Sequence, residues 1–165
     1  MIPVLVVSFY MEGVIAQYVT AGIFIFASIT DYIDGILARR WRAQTTFGRI
    51  LDPIADKMLV VATLVMMVDR NLAPVVPILA ILCREILVSG MREYLAEIRV
   101  ALPVTFLAKI KTAVQMIAII LILLGNEGSG IVYAFQVGTA ALWVAAGLTV
   151  MTGYLYLREG VKHLS

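Results

Sequence analysis

Cysteine and histidine occur once each in this chain of 165 residues, and only 15% of its residues are charged. A single cysteine excludes an intrachain disulfide. Cys83 and His163 stand alone, so neither a zinc site nor a Ser-His-Asp set can be assembled. The plain readings are a small buried hydrophobe for Cys83, beside Arg84, and a solvated terminal residue for His163. Net charge is only +2, without a basic run. This excludes a nucleic-acid partner on any recognised motif. No basic segment precedes the first apolar stretch, so no cleavable signal peptide is expected. Repeats, low-complexity tracts and soluble appendages are missing as well.

Hydrophobic residues fill the space, at 62% of the chain and a mean hydropathy of +0.97. That is well above a soluble domain. In lipid only helices or a closed barrel satisfy the backbone. The apolar runs are too long and uniform for barrel alternation. They fall near residues 2–11, 14–38, 50–68, 74–96, 107–124 and 131–157. The expected fold is an all-α integral membrane protein, a bundle of six transmembrane helices forming one domain over residues 1–165. The first run is about half the ~20 residues a spanning helix needs, so the first helix is expected to be truncated.

The breaks between runs divide by charge. Residues 11–13, 69–74 and 125–130 read as tight turns. The intervening stretches, 39–42, 92–111 and 158–162, are basic. Of the 13 lysines and arginines, all but Arg70 lie on or near that basic side, Arg84 counted with it. The positive-inside rule makes the basic side cytoplasmic. Both termini then face the cytoplasm, which six spans require. Gly138, Ala140, Ala141, Ala145, Ala146 and Gly147 permit close helix packing within the bundle, with a homodimer seam as the alternative use.

Four aspartates occupy one short window of this apolar sequence. Asp31, Asp34, Gly35, Ala38 and Arg39 are spaced i, i+3, i+4, i+7 and i+8, one helix face. Gly48, Asp52 and Asp56, at i, i+4 and i+8, line a face of the next helix. Two adjacent antiparallel helices would aim four carboxylates at one spot. Such a cluster repels itself unless cations sit within it. Oxygen-only ligands suit hard ions, two Mg²⁺ or Mn²⁺, rather than zinc. A pair of such ions clamps a phosphoryl group and activates a hydroxyl. Glycines allow close approach of a substrate, and Arg39 can pair with its phosphate. Ordinary helix-end charges paired to Arg39, Arg40, Arg49 and Lys57 are the bland alternative, and four acids in register argue against it. Pro53 falls about two turns into its helix. It removes one backbone donor beside Asp52 and Asp56.

This pattern resembles the signature of the CDP-alcohol phosphotransferase family, DxxDGxxAR followed by GxxxDxxxD. Every signature position is filled, by Asp31, Asp34, Gly35, Ala38, Arg39, Gly48, Asp52 and Asp56. Two further stretches, Cys83-Arg84-Glu85 onward to Glu97 and Lys109-Ile-Lys111-Thr112 to Met116, are similar to the branch of the family that makes phosphatidylglycerophosphate. The similarity runs from about residue 24 to 120; the last helix matches only in hydrophobic character. Members of that branch begin with a polar amphipathic segment. This chain begins at Met1-Ile-Pro-Val, already inside the first helix.

The resemblance implies a phosphatidyl transfer from CDP-diacylglycerol to an alcohol with release of CMP. The acceptor implied by the branch is sn-glycerol 3-phosphate. Asp31, Asp34, Asp52 and Asp56 would hold the two divalent ions, with Asp56 also the base toward the acceptor hydroxyl. Asp31, Gly35, Ala38, Arg39 and Gly48 would line the nucleotide and CDP-lipid site. A basic pocket of Arg84, Arg92, Lys109 and Lys111 would take the acceptor phosphate. For Arg84 the alternative is an internal pair with an acid such as Glu85, and for Lys109 and Lys111 it is interfacial anchoring. Acyl chains would stay in the bilayer, so membrane lipid is a partner. The expected location is a bacterial cytoplasmic membrane, with the active site facing the cytoplasm. A purely structural membrane subunit would leave the aspartate register unexplained, and two further readings stand beside it. One keeps the chemistry and changes the acceptor to inositol phosphate or serine. The other is a divalent-cation transporter, which would want acids near the midplane and a polar path across.

Overall fold

In a computed structural model, the described residues are 1–41, 46–97 and 106–161. Within helices, the side chains of 32, 34–41, 46–56, 92, 93, 96, 97, 106, 108 and 159–161 lie outside the description. The described residues form six helices and no strand: α1 (Ile2–Ser8), α2 (Val14–Trp41), α3 (Thr46–Asp69), α4 (Val75–Glu97), α5 (Phe106–Ser129) and α6 (Ala134–Val161). The apolar runs thus mark the helices, and most helices extend a few residues beyond the run into polar ends.

The turns follow local chemistry. Gly13 takes φ +88 before α2, a conformation that costs glycine nothing. Asn71 adopts φ +56 after α3. Its N–H donates to the Val68 carbonyl, and that of Leu72 donates to the Met67 carbonyl. This is a Schellman end with asparagine in the left-handed position. At Gly125 (φ +61, ψ −167) α5 breaks, and a further helical turn runs to Ser129. The sequence places the end of this run one residue earlier. Helix α3 continues through Pro53.

Two compact units make up the chain: residues 1–73 with 120–135, and residues 74–119 with 136–165. In the first, α1, α2 and α3 pack on one another, around Leu5, Phe24, Leu64, Met67 and Ile122. The Gln17 side chain accepts a hydrogen bond from the Gly128 N–H at 3.1 Å. In the second, Ile81, Leu95, Ile119 and Leu142 are fully buried, together with Thr149 and Thr152.

Hydroxyls within the helices bond back to their own backbone. Ser28 donates to the Phe24 carbonyl, Thr30 to Phe26 and Thr63 to Leu59. Lipid requires such internal satisfaction. Large apolar side chains such as Ile15, Phe26, Ile86 and Val144 are exposed instead, a surface suited to hydrocarbon. Three segments are long and apolar enough to cross a membrane: Val14–Asp31, Lys109–Ser129 and Ala134–Arg158. The described residues are all-helical apart from turns, with the long apolar helices of a membrane protein. One local expectation is corrected: Cys83 is exposed on α4 rather than buried, because the inward face of α4 passes through Ile81, Arg84 and Val88.

Candidate active site

The eight signature residues fall on α2 and α3, both continuous helices within the first unit. Asp31 and Asp34 are nearly one turn apart on α2, and Asp52 and Asp56 about one turn apart on α3. Asp34 lies seven residues before the end of α2 at Trp41, and Asp52 six residues after the start of α3 at Thr46. At 1.5 Å per residue those offsets are ~10 and ~9 Å, so Asp34 and Asp52 lie about equally far from the helix ends that flank residues 42–45. Asp31 is partly buried. The side chains of Asp34, Gly35, Ala38, Arg39, Gly48, Asp52 and Asp56 lie outside the described residues. Among the described residues no group of three acids, histidines or cysteines is arranged around a metal. The four-carboxylate set is therefore carried by helix register and donor chemistry. All four donors are carboxylates on two helices that pack together, a set that fits hard divalent cations.

The second unit holds a buried ion cluster. Arg84 on α4 and Lys111 on α5 keep only 9% and 5% of their side chains exposed, while Glu85 between them keeps 27%. Arg84 Nη1 donates to Glu85 Oε1 at 2.8 Å. Lys111 Nζ donates to the same oxygen. Arg84 Nη2 reaches Thr152 Oγ1 on α6 at 3.4 Å, and its guanidinium lies 5.8 Å from the centre of the Tyr156 ring. Among the described residues, Arg84 Nε is buried without a hydrogen-bond partner. Two cations share one carboxylate.

Of the four cations expected in an acceptor pocket, the structure brings Arg84 and Lys111 together through Glu85. Lys109, two residues from Lys111 and so on the other side of α5, is exposed. The Arg92 side chain lies outside the described residues. The partner of Arg84 is the adjacent Glu85, as the internal-pair alternative anticipates. Sequence reasoning missed the α6 contribution. Thr149, Thr152, Gly153 and Tyr156 are spaced i, i+3, i+4 and i+7, and the whole stripe is buried. That polar and small stripe in an otherwise apolar helix was the available signal.

Similarity to one enzyme family extends over both units. A family model for CDP-alcohol phosphatidyltransferase matches residues 1–151, and the chain belongs to that family. Among its relatives, a protein of Rickettsia felis named CDP-diacylglycerol–glycerol-3-phosphate 3-phosphatidyltransferase is 45% identical over 98% of this chain and 90% of its own length. A protein of the same name from Pectobacterium atrosepticum is 40% identical over 95% of this chain and 86% of its own. A rice protein named cardiolipin synthase (CMP-forming) is 39% identical over 96% of this chain and 53% of its own length.

Proposed function

We propose that this chain transfers the phosphatidyl group of CDP-diacylglycerol to sn-glycerol 3-phosphate, forming phosphatidylglycerophosphate and releasing CMP. The observation that carries this reading is the complete aspartate signature on α2 and α3, supported by relatives that bear this activity in their names. The buried Arg84 and Lys111 side chains support a phosphorylated acceptor, because two cations gathered at Glu85 suit a phosphate.

Asp31, Asp34, Asp52 and Asp56 would hold two divalent ions, Mg²⁺ or Mn²⁺. Bound there, the ions would neutralise charge on the pyrophosphate and on the phosphorus under attack. Gly35, Ala38, Arg39 and Gly48 line the nucleotide site in this reading. Asp56 accepts the proton of the acceptor hydroxyl. The hydroxyl oxygen bonds to the lipid phosphorus as the bond to the bridging pyrophosphate oxygen breaks, and CMP departs. Arg84, Arg92, Lys109 and Lys111 orient the acceptor through its phosphate.

In this reading the six helices form a single domain, and the Lys/Arg asymmetry supports an orientation with both termini and the aspartates on the cytoplasmic side. CMP release by the purified protein, measured with a panel of acceptors, tests the proposal. Glycerol 3-phosphate should be preferred. A preference for serine, inositol phosphate or phosphatidylglycerol would overturn the acceptor and leave the phosphatidyl transfer standing. No CMP release with any acceptor would overturn both.

A further inference from the structure

Arg84 is held by its surroundings at both ends. Its guanidinium is tied to Glu85 and Thr152. Its stem crosses α6 at Gly153, which is itself buried. A Cβ placed on Gly153 would stand 2.8 Å from Arg84 Cγ, 3.7 Å from Nε and 3.8 Å from Cδ. Carbon atoms in contact sit ~3.5–4.0 Å apart, so the stem would have to move by close to an ångström. Cγ lies near the root of the side chain, and a shift there swings the whole guanidinium. The Arg84–Thr152 contact, at 3.4 Å, is already at the limit of a hydrogen bond and would be lost. Gly153 lies within α6, where helical backbone favours alanine over glycine. What the absent methyl group provides is room for Arg84.

We propose that Gly153 is a positioning residue for the acceptor phosphate: its bare backbone on α6 lets the Arg84 stem pass and aims the guanidinium beside Glu85 and Lys111. Thr152 completes the seat. Its hydroxyl donates to the Thr149 carbonyl at 3.1 Å, which leaves an oxygen lone pair for Arg84 Nη2. This inference rests on the acceptor-pocket reading of Arg84. The two are separable, because Gly153 acts only through a side chain that can be removed.

The test is a double-mutant cycle on the full chain in detergent, with CMP release as the readout. Gly153→Ala should raise KM for glycerol 3-phosphate about tenfold, the loss of one charge-assisted contact, and leave KM for CDP-diacylglycerol unchanged. Arg84→Ala, which removes Cγ, should raise the same KM. Adding Gly153→Ala to that background should then change nothing. An unchanged glycerol 3-phosphate KM in Gly153→Ala, with a raised one in Arg84→Ala, overturns the inference and spares the acceptor pocket. An equal effect of Gly153→Ala with and without Arg84 also overturns it. An unchanged KM in Arg84→Ala removes Arg84 from the pocket and takes the inference with it. Should Gly153→Ala fail to fold, Thr152→Val is read in the same cycle: a KM rise present only with Arg84 supports the seat, and no rise overturns it.

Discussion

Replacing Glu85 with glutamine should destabilise the protein, whatever the enzyme's acceptor. The substitution conserves volume and keeps one acceptor oxygen, but it removes the charge that Arg84 and Lys111 share. Taking away one partner of a buried ion pair costs ~3–5 kcal/mol, because the remaining charge stays buried. Glu85 is about a quarter exposed, and the amide oxygen still accepts one hydrogen bond. Both effects bring the cost below that range, to about 2–3 kcal/mol. At roughly 2–4 °C per kcal/mol for a chain of this size, the melting temperature should fall by about 4–12 °C. Thermal unfolding in a mild detergent, followed by circular dichroism, measures it. Lys111→Met supplies the control. Since Lys111 Nζ and Glu85 are in direct contact, the two substitutions should be non-additive by at least ~0.5 kcal/mol. A fall of less than ~1 °C, with additive effects in the double variant, would refute the ion cluster itself.

Four further outcomes are expected. Asp31→Asn, Asp34→Asn and Asp52→Asn should each abolish CMP release while the protein stays folded, and excess chelator should do the same reversibly with Mg²⁺ or Mn²⁺; full activity in chelator would exclude the metal reading. Lys111→Met should raise KM for glycerol 3-phosphate by about tenfold. Lys109→Gln, at an exposed position, should raise it by less than about fivefold, since an exposed charge contributes under ~1 kcal/mol; the reverse order would put the phosphate at Lys109. A cysteine at position 43 should react only with reagents that reach the cytoplasm, and one at the exposed position 127 only from outside. The background must be Cys83→Ala because Cys83 is exposed, and the opposite labelling would invert the topology. Gly128→Ala should cost about 1 kcal/mol, because its Cβ would stand 2.9 Å from Gln17 Oε1 and displace the side chain that caps the Gly128 N–H; unchanged stability would mean that hydrogen bond contributes nothing.

The helices, the turns near Gly13, Asn71 and Gly125 and the helical spacing of the aspartates were legible locally, because each depends on residues a few positions apart. Apolar runs marked all six helices. Turn chemistry placed the breaks at Gly13, Asn71 and Gly125, where φ is positive. Helical periodicity put Asp31 with Asp34 and Asp52 with Asp56. The fate of the cations lay beyond that local reach. Lys109 and Lys111 are near-equivalent in sequence, yet one is exposed and the other is buried against Glu85, 26 residues away in the chain. Arg84 depends on a hydroxyl 68 residues distant and on the bare backbone of Gly153. Tertiary packing made those choices: a buried charge must find its partners wherever the bundle puts them, and an apolar periodicity records only which face turns inward, not what meets it there.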